Sequence, residues 1–329
     1  MPAEPERLLS LITGYWVSQS VHAAVLTGVI DALDDHPRGP EEVAKTTDCD
    51  ELAVSRLLRY LSGLDLVAGD SQKGYTVRET GRLLQRGGNF RELVLMYCGD
   101  LYQAWGEFGE AVRTGETAFK LVFGAERFDY LKRIPERARG FDRAMAAVTD
   151  LIGEELVKAV DFTRTPSVID IGGGNGSLLK KVLRAAPGVH GVVVDRDHVT
   201  AQSARDFAEH EFADRLSALE GDFFRELPSG GDCYLLSRIL HDWDDEACVR
   251  LLRVCREAVS PGTELVIVER LLPEAGGTSM ASVWDLHMMA ITGGQERTRT
   301  EYARLLADAG FRLHDVRPLT LDMSAMIAR

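Results

Sequence analysis

The sequence predicts an α/β fold for the second half of the chain, preceded by a mostly helical first half. From Ser167 onward, short apolar segments alternate with helical patterns, which is typical of a doubly wound sheet with helices on both faces. The last two of these segments follow each other without a helix between them, which predicts an antiparallel hairpin. Seven strands are expected, near residues 167–171, 189–194, 216–220, 232–237, 264–269, 311–316 and 323–328.

The composition narrows the class of protein. With 329 residues, of which 45% are hydrophobic, the chain can bury a large core and form two domains. Its net charge of −13 argues against general affinity for nucleic acid or an anionic membrane. The five cysteines form no C-x-x-C pair, and the sequence has neither a signal-peptide pattern nor an apolar stretch as long as a membrane span. We therefore expect a cytoplasmic protein with reduced thiols.

Residues 6–35 are predicted to be helical and carry a very broad apolar surface. An amphipathic pattern leaves two explanations open: a partner chain buries this surface, or the helix lies inside the core of its own domain. Residues 91–160 are also expected to be helical. The apolar residues of the first segment are Leu8, Leu9, Leu11, Ile12, Tyr15, Trp16, Val21, Val25, Leu26, Val29, Ile30 and Leu33.

Residues 37–82 have the pattern of a winged helix. A short helix is expected after Gly39-Pro40, a second from Asp50 to Leu64, and a hairpin strand at Tyr75-Thr76-Val77. This pattern raises the alternative of a DNA-binding regulator. The segment carries seven basic and eight acidic residues, however, and a DNA reader needs a basic surface for the phosphates. We interpret the wing as structural.

A glycine-rich turn follows the first strand of the predicted sheet, in Val168-Ile169-Asp170-Ile171-Gly172-Gly173-Gly174-Asn175-Gly176. Glycines let the backbone turn tightly and approach a ligand, while the helix that follows offers free N–H groups. A nicotinamide fingerprint is not favoured, because Ser177 occupies the position of its third glycine. A triphosphate is not favoured either, because the turn lacks the Lys-Ser/Thr pair that grips one.

Three successive strands of the predicted sheet end near acidic residues: Asp170, Asp195 and Asp222. Asp195 lies about twenty residues beyond the glycines, where nucleotide-type folds place the carboxylate that binds a ribose. Asp222 and Phe223 offer one polar and one apolar contact to an adenine. Together these features predict a ligand that contains adenosine but no phosphate, such as a sulfonium compound.

His241 lies just beyond the fourth strand of the predicted sheet, at the same edge as the glycine turn. Because a histidine titrates near neutral pH, it can remove the proton of a phenol; the alternative is a histidine that only caps a turn. A carboxylate would fix the imidazole tautomer, and Glu269, at the end of the fifth strand, is favoured for this role over Glu296. His287 is a further candidate for a substrate pocket.

These motifs resemble those of the S-adenosylmethionine-dependent O-methyltransferases of the caffeic acid/acetylserotonin type, in the branch found in bacterial natural-product pathways. The resemblance covers essentially the whole chain. It implies a helical winged-helix dimerisation domain at residues 1–100, a helical connector contributing to the acceptor pocket at 101–165, and a Rossmann-like seven-stranded catalytic domain at 166–329. The motifs that carry it are the glycine turn, Gly221-Asp222-Phe223-Phe224, His241-Asp242-Trp243, Glu269 and Gly293-Gly294-Gln295-Glu296-Arg297-Thr298.

The resemblance also implies site residues and partners. His241 matches the family's general base, and Glu269 and Glu296 match the two acids beside it. The chain is expected to form a homodimer through its N-terminal domain and to need no metal. The expected cofactor contacts are Thr149, Asp170, Gly172, Gly174, Asp195, Arg196, Asp222, Phe223, Ser237 and Trp243, of which Arg196 and Ser237 differ from the residues usual in plant members. The expected acceptor pocket comprises Met96, Phe141, Met145, Trp284, Met288 and Thr292.

The sequence therefore predicts an O-methyltransferase that acts on a phenolic or enolic hydroxyl of a small aromatic metabolite, with S-adenosylmethionine as cofactor. Two alternatives remain at this point. One is an enzyme of the same fold that hydroxylates, decarboxylates or cyclises its substrate and uses the cofactor as a structural or electrostatic element. The other is the DNA-binding regulator suggested by residues 37–82.

Overall fold

The structure is a computed structural model that describes residues 4–329, apart from the side chain of His198. The chain divides into two compact units. The first comprises the chain up to Gly106 together with Ile134–Ala147, and the second comprises Glu107–Arg133 and Val148–Arg329. The long helix Pro135–Ala159 contributes to both units.

The first half of the chain is mostly helical, as predicted, and includes a β-hairpin. A π-helical segment, Met96–Asp100, lies between the sixth and seventh helices. The elements are α1 (Glu4–Ile12), α2 (Tyr15–Leu26), α3 (Pro40–Thr47), α4 (Glu51–Gly63), β1 (Val67–Asp70), β2 (Gly74–Val77), α5 (Glu79–Arg82), α6 (Arg91–Leu95), α7 (Leu101–Trp105), α8 (Phe108–Thr114), α9 (Ala118–Phe123), α10 (Arg127–Arg133) and α11 (Pro135–Ala159).

The continuous helix predicted for residues 6–35 is wrong in its extent. α1 ends at Ile12, and α2 ends at Leu26 instead of continuing to residue 35. Gly28 follows in the left-handed region, with φ of +78°, and turns the chain out of the helix. The apolar residues of α1 and of the start of α2 are exposed, whereas Ile30 and Leu33, beyond the helix, are buried. The apolar pattern thus combines one exposed segment with one core segment.

The winged pattern of residues 37–82 is confirmed. α4 begins after Asp50, whose Oδ1 accepts a hydrogen bond from the Ala53 N–H at 2.8 Å. β1 and β2 pair antiparallel, with Val67 opposite Val77. The core of this unit includes Val25, Ile30, Leu33, Val43, Val54, Leu58, Leu61, Val67 and Tyr75.

Residues 91–160 are helical, as predicted, but they are divided into short helices followed by the 25-residue α11. Gly115 and Gly124 adopt left-handed conformations, with φ of +77° and +69°, at the ends of α8 and α9. A residue without a Cβ adopts this conformation without strain, and the left-handed conformation ends the helix.

The second half of the chain alternates strands and helices. Its strands are β3 (Ser167–Ile171), β4 (His190–Asp195), β5 (Leu216–Glu220), β6 (Cys233–Ser237), β7 (Glu264–Leu272), β8 (Arg297–Thr298), β9 (Leu313–Pro318) and β10 (Met323–Ala328). Its helices are α12 (Ser177–Ala185), α13 (Asp197–Ala208), α14 (Asp245–Ala258), α15 (Met280–Ile291) and α16 (Arg299–Asp308), with a 3₁₀ turn at Leu240–Asp242.

The strand order is β5-β4-β3-β6-β7-β10-β9, and β8 pairs with β7. The strands β5, β4, β3, β6 and β7 are parallel, while β10 lies antiparallel between β7 and β9. All seven predicted strands are present, including the antiparallel hairpin, and the two-residue β8 adds an eighth. The chain winds from β3 toward β4 and β5 and later returns to β6 on the other side. Ligands bind at such a reversal point, beyond the carboxyl ends of the strands.

Both faces of the sheet are covered by helices, as predicted for a doubly wound fold. One core contains residues of α11, α12 and α13, among them Leu156, Leu179 and Phe207. The core on the other face contains residues of α14 and α16, among them Leu251 and Leu305. Burial on both faces explains why the central strands are apolar throughout. No helix within residues 4–329 has the length and apolarity needed to cross a membrane.

Candidate active site

The glycine turn connects the buried strand β3 to α12. Gly172, Gly174 and Gly176 all have positive φ, of +70°, +57° and +71°. A Cβ built on Gly172 would lie 2.5 Å from Ile239 Cδ1, whereas one on Gly174 would meet nothing within 4 Å. Gly174 therefore leaves open space in front of its backbone, as the sequence predicts for a turn that a ligand approaches.

Two carboxylates lie at this turn. Asp170, at the end of β3, is buried, and its Oδ2 has no hydrogen-bond partner. Burial, reinforced by the nearby Asp195 charge, raises the pKa of Asp170 to about 7. Asp195, at the end of β4, accepts hydrogen bonds from the Gly174 N–H at 3.0 Å and the Arg196 N–H at 2.8 Å. A buried carboxylate with an unpartnered oxygen is suited to an ammonium group.

Aromatic rings cluster beyond β5 and β6. Phe224 lies between Phe223 and Trp243, with ring centroids 4.9 Å and 4.8 Å away respectively. Asp222 is exposed and accepts a hydrogen bond from the Phe224 N–H at 3.0 Å. The structure thus brings together the residues predicted to surround an adenine, and adds Phe224 to them.

Ser237 ends β6, and the residue after it has an unusual backbone. Arg238 has a φ of +56°, although it is not a glycine. Its Nη2 donates a hydrogen bond to Thr149 Oγ1, and its charge counteracts the rise in the pKa of Asp170. Arg238 was not among the predicted site residues. Its position next to Ser237 and before the His241 turn is the signal that could have identified it.

His241 lies in the 3₁₀ turn Leu240–Asp242 and is buried between two carboxylates. Its Nδ1 is 3.0 Å from Glu296 Oε1 and 3.5 Å from Glu269 Oε2. Both glutamates are fully buried. Glu269 also accepts the Ile239 and Leu240 N–H groups with Oε1, at 2.9 Å and 2.8 Å. The carboxylate nearer to the imidazole is therefore Glu296, whereas the sequence favours Glu269. Glu269 mainly holds the backbone of the turn.

The position of Glu269 follows from strand lengths. β7 continues to Leu272, so Glu269 lies inside the strand and not at its end as predicted. Its neighbour β6 stops at Ser237, which pairs with Val268, so Glu269 is one residue beyond the end of β6. The side chain consequently reaches the turn that follows β6.

The pKa values of His241 and Glu269 are shifted by burial and by the neighbouring charges. Burial lowers the pKa of His241, but Glu269 and Glu296 outweigh it and raise the pKa to about 9. Burial raises the pKa of Glu269 to about 7, against the opposing effect of His241. Because His241 and Glu269 interact strongly, the ionisation of one depends on that of the other. The favoured charged form is an imidazolium held between carboxylates.

Glu296 is itself held by neighbours that the sequence analysis did not single out. Its backbone N–H donates to Asp285 Oδ1 at 2.9 Å. Arg270 Nη1 is 4.0 Å from Glu296 Oε1, and the Arg270 guanidinium lies 4.0 Å from the centroid of the Trp284 ring. Arg270 is buried and directly follows Glu269, which is the signal that could have identified it.

The predicted acceptor residues are divided between the two compact units. Trp284, Met288 and Thr292 lie on or at the end of α15, in the same unit as His241. Met96, Phe141 and Met145 belong to the other unit, so their role in acceptor binding stays a prediction. His287 also lies on α15, with its ring 6.1 Å from that of Trp284. Burial, with a smaller effect of Arg127, lowers the pKa of His287 to about 4.

His241, Glu269 and Glu296 also have ligand atoms close enough together for a metal ion, all within 4.8 Å of one another. In the present arrangement, the imidazole Nδ1 faces both carboxylates, and the guanidinium of Arg270 adds a second positive group beside Glu296. A protonated histidine therefore provides the charge that a cation would bring to this cluster.

Comparison with known proteins identifies the family. Residues 105–312 match the family model of an O-methyltransferase domain, and residues 9–87 match that of an O-methyltransferase dimerisation domain. The chain belongs to the O-methyltransferase family. The O-methyltransferase domain contains the glycine turn, the aromatic cluster and the histidine–glutamate cluster described above.

Similar proteins cover nearly the whole O-methyltransferase chain. A 3-amino-4-hydroxybenzoate 4-O-methyltransferase from Streptomyces cremeus is 40% identical, over 98% of this chain and 89% of the relative. A phenazine O-methyltransferase from Lysobacter antibioticus is 38% identical, over 98% and 95%. The structure of human N-acetylserotonin methyltransferase in complex with S-adenosylmethionine matches with a TM-score of 0.90 and 30% identity, over 100% of this chain and 99% of that one.

The cofactor of this O-methyltransferase is S-adenosylmethionine. The site fits that molecule, because the unpartnered Asp170 Oδ2 suits its ammonium group and the cluster of Phe223, Phe224 and Trp243 suits its adenine. The non-methylating alternative is not favoured by the comparisons.

Proposed function

We propose that His241 is the general base of this O-methyltransferase and removes the proton from a phenolic or enolic hydroxyl of a small aromatic metabolite. The observation that carries the proposal is the position of the buried His241 Nδ1, 3.0 Å from Glu296 Oε1 and 3.5 Å from Glu269 Oε2. A histidine that only capped a turn would not need two fully buried carboxylates, whose desolvation is costly.

The geometry supports a division of roles within the cluster. A proton on Nδ1, donated to Glu296, leaves the lone pair of the opposite nitrogen, Nε2, free to accept the hydroxyl proton. The imidazolium that forms lies between Glu269 and Glu296, which stabilise its charge. The bound cofactor supplies an electrophilic methyl group, and the rest of the acceleration comes from holding the hydroxyl oxygen in line with it.

We propose that Asp170, Gly172, Gly174 and Asp195 hold the methionine and ribose parts of the cofactor. Gly174 leaves open space at the turn, and Asp195 fixes the same turn through the Gly174 N–H. Thr149, Arg196, Asp222, Phe223, Ser237 and Trp243 complete this proposed cofactor site.

We propose that Trp284, Met288 and Thr292, on or at the end of α15, contact the acceptor. Apolar walls with a few polar groups are typical of sites for small aromatic molecules. One relative is named as a 3-amino-4-hydroxybenzoate 4-O-methyltransferase. Aminohydroxybenzoates and simpler phenols are therefore the first acceptors to test.

We propose that the enzyme is a homodimer formed through its N-terminal domain. Residues 9–87 match a dimerisation domain, and the exposed side chains of α1 and α2 include Leu8, Leu9, Leu11, Ile12, Tyr15 and Trp16. We assign dimerisation to residues 1–100, the connector to 101–165 and catalysis to 166–329. The net charge of −13 and the five free cysteines support a cytoplasmic enzyme without a nucleic-acid partner.

The test compares wild type with His241→Ala and with His190→Ala, which removes an exposed histidine at the other end of the sheet. Each protein is incubated with radiolabelled S-adenosylmethionine and a set of phenols, and the mass of each product is measured by mass spectrometry. We expect His241→Ala to lose turnover by about 100-fold or more, with unchanged cofactor affinity by calorimetry. Unchanged turnover would exclude His241 as the base, and a product without an added methyl group would revive the non-methylating alternative.

A further inference from the structure

Arg297 is one of the most deeply buried side chains of the protein, at 1% exposure. It belongs to β8, the two-residue strand that pairs with β7. A buried guanidinium is costly unless its donors are matched, so its partners indicate why it is there. Within the described chain, the hydrogen bonds of its guanidinium go to the segment around His241 and to Gln295, two positions before it.

These bonds extend along the turn that carries His241. Nη1 donates to the carbonyl of Leu240 at 3.2 Å and Nη2 to the carbonyl of Trp243 at 2.8 Å. Nε donates to Asp245 Oδ1 at 2.9 Å, at the start of α14. One rigid, planar group therefore holds the residue before His241, the second residue after it, and the helix that follows.

The neighbours of Arg297 in the chain hold the same turn. The Gln295 N–H donates to the His241 carbonyl at 2.9 Å, and Glu296 contacts the His241 ring. A Cβ built on Gly294 would lie 1.9 Å from the His241 carbonyl oxygen, so only glycine fits there. The main chain of His241 is thus fixed by residues 294–297.

We propose that Arg297 is a positioning residue for catalysis, which keeps the His241 turn in the geometry that proton removal requires. This inference rests on the proposed role of His241 as the base. The hydrogen bonds of the Arg297 guanidinium within the described chain go to backbone carbonyls and to Asp245, so Arg297 acts through the backbone and through Asp245. Misplacing a reacting group by about 1 Å can lower the rate by about 100-fold. The hydrogen bonds of Arg297 to Leu240, Trp243 and Asp245, called the clamp below, are therefore expected to affect turnover.

Arg304 provides a matched control. Its Nη2 donates to Asp245 Oδ2 at 2.6 Å, so it shares with Arg297 the same carboxylate partner and the same charge. It is exposed, however, and none of its hydrogen bonds within the described chain reaches the carbonyls of Leu240 or Trp243. Loss of the charge near Asp245 can therefore be separated from loss of the clamp.

The experiment compares Arg297→Lys, Asp245→Ala and Arg304→Met with wild type and His241→Ala. It measures turnover (kcat), the KM of the acceptor, the Kd of S-adenosylmethionine by calorimetry and the melting temperature. A lysine keeps the charge but cannot reproduce the three-sided guanidinium fork. We expect a kcat lower by about 10- to 100-fold for Arg297→Lys, and a smaller fall for Asp245→Ala. The acceptor KM should stay unchanged, and the cofactor Kd should change by a much smaller factor than kcat, since Arg297 contacts only the backbone of Trp243. Arg304→Met should keep wild-type kcat.

Each outcome is decisive. A folded Arg297→Lys protein with wild-type kcat, or one in which the cofactor Kd worsens by as large a factor as kcat, would overturn the proposal in favour of a purely structural role. If Arg297→Lys does not fold, Asp245→Ala decides, because Asp245 is partly exposed and alanine removes the oxygen that accepts the Nε–H of Arg297: a lowered kcat supports the clamp, and an unchanged kcat overturns it. Wild-type turnover in His241→Ala would instead refute the role of His241 itself.

Discussion

Replacing Glu296 by glutamine should move the acid limb of the pH–rate profile to lower pH. In wild type, Glu269 and Glu296 outweigh burial and raise the pKa of His241 to about 9. A base acts in its deprotonated form, so kcat/KM should rise with pH up to this value. Removing one negative charge next to the imidazole lowers its pKa and shifts the rise toward neutral pH.

The magnitude follows from the geometry. Glu296 is the nearer carboxylate, at 3.0 Å against 3.5 Å for Glu269, and acts through both its charge and its hydrogen bond. If it contributes about half of the increase, the limb should move down by about 1 pH unit, or ~1.4 kcal/mol. The plateau at high pH should fall by about 10-fold or more, because the imidazolium formed during the reaction loses a stabilising partner.

The assay is initial rates from pH 6 to 10 at saturating cofactor, with Glu274→Gln as control. Glu274 is exposed and caps Thr300, so the same substitution there should leave the profile in place. Glu269 and Asp242 also raise the pKa of His241, and His287 interacts with it electrostatically; all three are unchanged in both variants. An acid limb that stayed where it was, or moved to higher pH, would refute the reasoning.

Three further outcomes are expected. In the folded protein the pKa of Asp170 is raised to about 7, so its ionisation destabilises the native state as pH rises from about 4 to 7. Asp170→Asn should therefore raise the melting temperature of the ligand-free protein at pH 8 but not at pH 4, while weakening S-adenosylmethionine binding; equal melting temperatures at pH 8 would contradict this. Treatment with a chelator should leave turnover unchanged, since an imidazolium can supply the positive charge among the glutamates; lost activity that returned with a divalent metal would show a metal site. Ile12→Glu should convert dimers to monomers in light scattering, because it places a charge on the exposed apolar face of α1, whereas Val112→Glu on α8 should not; a dimeric Ile12→Glu protein would place the interface elsewhere.

The sheet could be predicted from the sequence because its central strands are buried on both faces. Such strands are short apolar runs, and here they end at glycines or acidic residues that mark the sheet edge, as at Ile171 and Asp195. Three of the predicted strand spans, at residues 167–171, 216–220 and 323–328, agree with the structure at both ends. The eighth strand was missed because two residues carry no detectable period.

The first helix shows where periodicity fails. The apolar residues of positions 6–35 fit one helix, but Gly14 begins a new helix and Gly28 ends it with a positive φ. Ile30 and Leu33, which follow Gly28, are buried in the core although they are not part of a helix. An apolar pattern of helical period does not distinguish such a segment from a helix.

The partner of His241 depended on tertiary structure. Glu269 was favoured for its place near a strand end, yet Glu296, 55 residues from His241 in the chain, makes the hydrogen bond to the ring. The choice is set by the pairing of β8 with β7 and by Asp285, which holds the Glu296 backbone. Neither interaction leaves a signal in residue spacing. The role of Arg297 was hidden for the same reason, since its partners are mostly backbone carbonyls, which every residue has.

The buried charges of this protein indicate which residues react and which support them. Apolar side chains of similar volume would pack as stably as buried ions, so stability alone does not explain their presence. Arg297 has each of its nitrogens hydrogen-bonded to the protein, which is the pattern of a group that fixes its surroundings. Asp170 instead keeps an oxygen without a partner, and its pKa is raised as a result of burial. The buried charge of such a carboxylate destabilises the ligand-free protein. A ligand that supplies a positive group removes this destabilisation, and the free energy gained favours binding of the cofactor.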